Sequence, residues 1–365
     1  MTTTSAPASA PLTRQVSQRV SQSVFDGSRL RVVLLVDVYD GAQQQFLEAY
    51  EQLCNQVASV PGHVSDQLCQ SIENPSQWLI TSEWESAPPF LTWVNSEEHV
   101  QMVKPLHNCV RDTRSLRFHV VRETGGPASA ADRTLQSAPR MGDGVIRHAL
   151  TFTVKPGSEE TVASILSDYA SPDPKVDDTT RLCRTSLFMH GNRVVRAIEV
   201  RGDLLAALRH VARQPEVRAV EDAINPYLEQ DRDLDDPDSA RVFFTRAALP
   251  AVHHVTADQD DPKAERLALY YPARAGRGLE LAQLLARQDE TAADDPNGPV
   301  VRSTIFQRDD VVVRLVDVRG GHGADDPALA PKAAELKKLL DTAAAKGSAG
   351  PARMALVTDR RSPEA

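Results

Sequence analysis

The sequence predicts an α+β protein made of three tandem ferredoxin-like (βαββαβ) units of the dimeric α+β barrel type. Two repeated landmarks and an alternation of hydrophobic periods predict it. Arg31-VVLLVDVYDG, Arg147-HALTFTVKPG and Arg266-LALYYPARAG each run from an arginine through a β-rich apolar stretch to a glycine ten residues on. Gly41, Gly157 and Gly276 stand 116 and 119 residues apart. The second landmark is Val194-VRAIEVRG and Val311-VVRLVDVRG, in which Arg196 and Arg314, and Gly202 and Gly320, are each 118 apart. Trp78-LITSEW holds the matching place in the first copy, 116 residues before Val194. Repetition at a fixed period marks a chain built from copies of one unit.

Each unit reads alike. A strand (Val32–Val38, Ala149–Val154, Leu267–Tyr271) leads through the glycine turn into an amphipathic helix (Gln43–Ser59, Ser158–Tyr169, Leu279–Ala286). The first of these helices rests on Phe46, Leu47, Tyr50, Leu53 and Val57, which share a face at 3.6 spacing. Two strands joined by a polar turn follow, supported by β-branched residues and alternation as in Val194–Val200. A second helix and a last strand (Leu116–Arg122, Arg241–Arg246, Arg353–Thr358) complete the β-α-β-β-α-β order. The boundaries predicted are a disordered leader 1–28, a first unit 29–124, a linker 125–143, a second unit 144–250, a linker 251–262, a third unit 263–358 and a tail 359–365. An antiparallel sheet with helices on one face needs its other face covered. Two units therefore pair, open face to open face, around a cavity, and the unpaired third makes a homodimer the simplest remedy.

Composition narrows the function. A formal charge of −9 argues against nucleic acid or a membrane surface as partner. No apolar run approaches the ~20 residues of a membrane span, and the Thr/Ser/Ala/Pro-rich start is no secretion signal. The four widely spaced cysteines, Cys54, Cys69, Cys109 and Cys183, read as free thiols, so a cytoplasmic protein is expected. No dinucleotide or phosphate-binding glycine motif, H-E-x-x-H or nucleophile elbow is present. Neighbouring His253 and His254 point to opposite faces of any strand, which argues against a shared metal, and they read as linker residues. Asp231–Asp238 lacks the glycine and terminal glutamate of a calcium loop. No metal site is predicted.

The first unit, with its Asn74-Pro75 turn, Trp78-LITSEWES, Phe90, Trp93 and Asn95-Ser96-Glu97-Glu98-His99, resembles an antibiotic biosynthesis monooxygenase domain. The second resembles the SchA/CurD-like domain of aromatic (type II) polyketide pathways, through Val154-KPGSEET, Val194-VRAIEVRGDL, His210-VARQPEVRAVEDAINPYLEQD and Val242-FFTRA. The third looks like a diverged copy. The resemblance implies a cofactor-independent monooxygenase that oxidises a polycyclic phenol or anthrone to a quinone with O₂, using no flavin, haem or metal. Polyketide cyclases or aromatases of the same fold, and a non-catalytic pathway scaffold, are the alternatives.

On that reading Trp84 occupies the family's active-site tryptophan position, where an indole either walls a flat substrate or is a core aromatic. Val200 and Val318 stand at the corresponding places, so the first unit is the expected chemical unit. Trp78 and Ser82 share a strand face with Trp84, and Phe90 and Trp93 are expected at the entrance. The asparagine that the family often carries four residues before the tryptophan is replaced by Ile80, leaving Asn74 and Asn108 as candidates to polarise a carbonyl. His63, His99 and His107 are the candidate bases for deprotonating a phenol. Arg196 either grips a phenolate or carboxylate oxygen or pairs with a glutamate on the outer sheet face.

Overall fold

In the first third of the chain, alternating apolar residues form strands that need partners on both edges and cover on at least one face. The computed structural model describes residues 19–121, 142–257, 261, 263–320, 329, 333–341 and 351–362. Strand β2 (Leu30–Val38) turns at Gly41, whose φ of +84° suits a residue without a Cβ, into helix α1 (Gln43–Val57). Strands β3 (His63–Gln70) and β4 (Gln77–Trp84) follow. Three short helices, α2 (Ala87–Val94), α3 (Glu97–Met102) and α4 (Lys104–His107), lead to β5 (Val110–His119). Helix α3 is fixed by the Ser96 hydroxyl, which accepts from the His99 backbone N–H, with Glu97 and Glu98 in its first turn. The four antiparallel strands lie in the order β3-β4-β2-β5.

The rest of the chain gives β6 (Val145–Thr153), α5 (Glu159–Ser167), β7 (Arg181–His190), β8 (Arg193–Arg201), α6 (Leu204–Ala212), α7 (Pro215–Ile224), α8 (Pro237–Ala247) and β9 (Ala248–Thr256). It continues as β10 (Glu265–Pro272), α9 (Gly278–Ala293), β11 (Val300–Arg308), β12 (Val311–Val318), α10 (Ala333–Leu339) and β13 (Ala352–Arg361). These strands pair as β7-β8-β6-β9 and β11-β12-β10-β13, and the two sets close into an eight-stranded barrel through β9–β11 and β13–β7. Both closing strands change partner midway. Leu249 faces Ala149 of β6 while His254 faces Thr304 of β11; Met354 faces Ala268 of β10 while Leu356 faces Phe188 of β7. No helix among the described residues is long and apolar enough to cross a membrane.

The barrel interior is filled, against the expectation of a cavity there. Ala149, Phe188, Val195, Ala197, Leu249, Ala268, Phe306, Val313, Leu315 and Met354 form one buried cluster. Beyond it lies an ionic knot centred on Asp317, which is 1% exposed. Its carboxylate accepts from Arg184 (3.0 Å) and Arg266 (2.7 Å), and Arg302 lies 3.2 Å away. Arg266 also meets Glu199 at 2.8 Å, and Arg184 meets Asp359 at 2.6 Å. Arg266 beside it holds the Asp317 carboxyl below the usual carboxylate range despite its burial.

Several boundaries differ from the sequence reading; β5 starts at Val110 instead of Leu116, and α9 runs on to Ala293 instead of Ala286. Residues 241–246 lie in helix α8 instead of a last strand, because Phe243 and Ala247, four apart, bury together in the core beneath β6 and outweigh the β propensity of the Val-Phe-Phe-Thr run. The last strand, β9, comes later and takes up 251–256 of the expected linker, so His253 and His254 are buried strand residues. Their rings do face opposite sides: His254 Nδ1 is 2.8 Å from Thr304 Oγ1, and His253 lies 3.9 Å from Glu290 of α9. Ser21–Ser23 of the expected leader form β1, which pairs with the edge of β9 that β6 has left, and β13 runs into the expected tail as far as Arg361. Of the linker expected at 125–143, all but Gly142 and Asp143 lies outside the described residues.

Replacing Asp317 with alanine leaves three arginines around a buried space with no shared acceptor. We expect a loss of about 3–5 kcal/mol in urea unfolding, with the midpoint lowered and the far-ultraviolet spectrum of the surviving native state unchanged.

Candidate functional site

The helix-facing side of β4 presents Trp78, Ile80, Ser82 and Trp84, and the paired residues of β2 are Val36, Leu34, Val32 and Leu30. Between this face and the helices lies a cavity of about 890 Å³ that continues onto the helix-facing side of β6, β7 and β8. The first sheet and its helices contribute Val32, Ile80, Ser82, Phe90, Trp93 and His99. From the second part of the chain come His148, Leu150, Arg196, Ile198 and Glu221, among others. The two parts are held edge to helix by Arg114–Asp203 (3.2 Å) and Arg209–Asp112 (3.6 Å).

The structure sorts the expected site residues into lining and support. Ser82, Phe90, Trp93, His99, His107 and Arg196 line the cavity. Trp84 does not: it is fully buried, stacked on Trp93 with centroids 5.4 Å apart and edge-on to Phe90 at 5.4 Å. Its indole N–H donates to Ser82 Oγ at 2.5 Å, which leaves the Ser82 hydroxyl proton available to a ligand. Trp84 is thus a core aromatic that backs the wall. His63 also stands behind it, edge-on to the Trp84 ring at 5.2 Å and 2.7 Å from Asp66, outside the lining. Trp78 packs on Phe46 in the core at 5.4 Å. Asn74 is exposed on the β3–β4 turn, where its Oδ1 accepts from the Ser76 N–H, and Asn108 ends α4; neither lines the cavity.

Arg196 faces the helices, not the outer sheet surface, and donates to Glu221 of α7 at 2.6 Å. Glu221 also accepts from Arg232 at 2.7 Å, and these two cations hold its carboxyl below the usual range against burial. Arg196 thus already has a carboxylate partner, which it shares with Arg232. The corresponding Arg314 meets Asp289 of α9 at 2.5 Å and donates to the Leu329 carbonyl. With Tyr271 and Leu285 that pair fills the space beneath the third sheet.

Two histidines face the cavity in neutral form. Burial, with His107 and Arg117 nearby, lowers the His99 pKa to about 4; burial and Arg117 lower that of His148 to about 4. Trp93 packs edge-on to the His99 ring at 4.3 Å, and His99 Nδ1 and Trp93 Nε1 are buried without a hydrogen-bond partner. Arg117 and His148 went unnoticed in the sequence. The period-2 run Thr113, Ser115, Arg117 on the last strand of the unit was the available signal for the first. His148 had none, because its placement depends on how the two parts of the chain pack.

Comparison with known proteins finds two family matches. A family model described as antibiotic biosynthesis monooxygenase matches residues 29–105, and one described as SchA/CurD like domain matches 145–257, ending one residue past β9. The chain is 60% identical to the 42.8 kDa protein in the whiE locus of Streptomyces coelicolor, over 99% of this chain and 95% of that protein. It is 62% identical to the polyketide synthase CurD of Streptomyces cyaneus (94% and 98% covered) and 59% identical to protein SchA of Streptomyces halstedii (95% and 97%). Among solved structures, SnoaB, a cofactor-independent oxygenase from Streptomyces nogalater, aligns with 27% of this chain and 96% of its own at 16% identity and a TM-score of 0.25.

The neutral histidines carry a pH signature. Each binds its proton near pH 4 when folded and near 6.5 when unfolded, so the unfolded chain holds more protons between those limits. Stability is therefore full above about pH 6.5 and falls as the pH drops towards 4, by up to about 3 kcal/mol for each group. Urea unfolding across this range should show the loss, and a His99→Asn, His148→Asn double variant should show a shallower one.

Proposed function

The chain belongs to the SchA/CurD-like family, and on that premise we propose that it tailors an aromatic polyketide, acting as a cofactor-independent monooxygenase in its first unit. The observation that carries this is the coincidence of the roomy, mostly apolar cavity with the segment that matches the monooxygenase model. A cavity of 300–1,000 Å³ with few polar groups suits a planar multi-ring guest.

In this reading Phe90 and Trp93 hold the ring system, with Trp84 behind them fixing the Trp93 plane. An anthrone loses its benzylic proton, and the resulting carbanion passes an electron to O₂. Recombination and loss of water then give the quinone, with one O₂ consumed and one water released per anthrone. The protein excludes bulk water, orients the carbon towards oxygen and accepts the proton. His99 and His107 line the space where that acceptor is needed, and His63, held by Asp66, serves as support. Ser82 supplies a hydroxyl donor to the substrate oxygen.

The chain reads as three ferredoxin-like units, since all three sheets share one strand order. The second and third bury their open faces in the barrel, whereas the first leaves Leu35 and Phe118 exposed on its open face. A second copy covering that face gives a homodimer, and Leu35→Asp with Phe118→Asp is expected to shift sedimentation from dimer to monomer.

The oxygenase reading is tested by O₂ uptake with metal-free protein and an anthrone. We expect one O₂ per quinone formed and a loss of at least about tenfold in kcat/KM for Trp93→Ala. Ring closure of a linear polyketide without O₂ uptake would favour a cyclase, and absence of both activities a scaffold.

A further inference from the structure

We propose that Arg117 is the receptor for an aromatic oxyanion, pairing with a phenolate or enolate oxygen of the planar guest where the first and second parts of the chain share the cavity. The proposal rests on the reading of this cavity as an aromatic-ligand site and adds how the ligand is charged and held. Thr113, Ser115 and Arg117 of β5 stand opposite Val36, Leu34 and Val32 of β2 and so face the cavity. The guanidinium lies 5.3 Å from the centroid of the Phe90 ring, a cation–π position against one wall.

Arg117 has no counter-ion among the described residues, unlike its neighbours on the first sheet. Arg111 on the same strand reaches Asp40 (3.1 Å), and Arg114 reaches Asp203 (3.2 Å). Arg29 and Arg31 share Glu83, and Arg196 in the same cavity is held by Glu221. Among the described residues no carboxylate lies within ion-pair distance of Arg117; its side chain stays accessible on the cavity, where the surrounding protein lowers its pKa. A guanidinium on the wall of a mostly apolar cavity, with no carboxylate partner, gains by pairing with an anion that enters and displaces its water.

The groups around it leave that place to a ligand. His99 on α3, His107 on α4 and His148 on β6 line the same cavity, and His99 and His148, which feel the Arg117 charge, are neutral at pH 7. Asp66 on β3 lines the cavity but sits 2.7 Å from His63. Lys104, Arg241, Arg246 and Arg308 add positive charge to the lining of a protein whose net charge is −9. The cavity thus favours anions inside an otherwise acidic molecule. A phenol or enol entering it releases its proton to solvent, keeps the electron pair on oxygen and pairs with Arg117. A fork of N–H donors suits such an oxygen.

The test uses the full chain and 1,8-dihydroxyanthraquinone, a planar phenol that is already a quinone, so binding is read apart from oxidation. Its absorbance reports ionisation of the hydroxyl. Bound to the wild-type protein, the probe should ionise at least about one pH unit below the free dye, a tenfold shift. On Arg117→Gln it should ionise no more readily than free, and Arg117→Lys, which keeps the charge, should restore part of the shift. Equal ionisation of the bound probe on wild type and Arg117→Gln, with both folded by circular dichroism, overturns the assignment of Arg117 and leaves the cavity reading standing. Failure of the probe to bind the wild type overturns both.

Discussion

The second face of a half-covered sheet governs this architecture. In the second and third parts of the chain each set of four strands packs helices on one side, and the largely apolar other side is buried in the barrel. Strands β9 and β13 meet the constraint by leaving their own sheets midway and joining the other, which ties the second and third parts of the chain into one barrel. The side chains brought inside are large enough to fill it. The Asp317 knot then sets the register at the end where apolar packing stops, because three arginines from β7, β10 and β11 converge on one carboxylate. A buried carboxylate with so many donors tolerates no slip of one residue, since a slip sends every side chain to the opposite face.

A solid barrel moves any binding space to the helix-facing sides of the sheets, and there the three parts diverge at one register position. Ile80, Arg196 and Arg314 occupy equivalent places on β4, β8 and β12. Arg314 needs a buried carboxylate and obtains it from Asp289, so helix α9 is drawn tightly onto the third sheet and the space is full. Arg196 draws in Glu221, which Arg232 then anchors, and the space closes only in part. Ile80 asks for nothing, and the short helices α2, α3 and α4 stand over an open cavity.

The character of that cavity comes from desolvation acting differently on two kinds of base and from the rings packed behind them. Imidazoles respond by staying neutral, as His99 and His148 do. A guanidinium keeps its proton at any ordinary pH, so Arg117 remains a cation that seeks an anion. Packed tryptophans behind the wall, Trp84 above all, hold the lining rings at fixed angles, which suits a rigid flat guest better than a flexible one.

The sequence by itself determined the type and order of most elements and the strand face that bears Trp78, Ser82 and Trp84, because these follow from spacing of two and 3.6 within short windows. It also singled out Phe90, Trp93, His99 and His107, which do meet at the cavity. It failed at Arg241–Arg246, where burial of Phe243 against β6 overrode local propensity, and at β9, whose strand state depends on a partner some fifty residues later. Only the tertiary structure decided that the barrel is filled, that Trp84 and His63 stand behind the wall, and that Arg117 and His148 face one space. Those outcomes depend on which surfaces meet across the chain and on how much water they exclude, and neither quantity is written in any local run of residues.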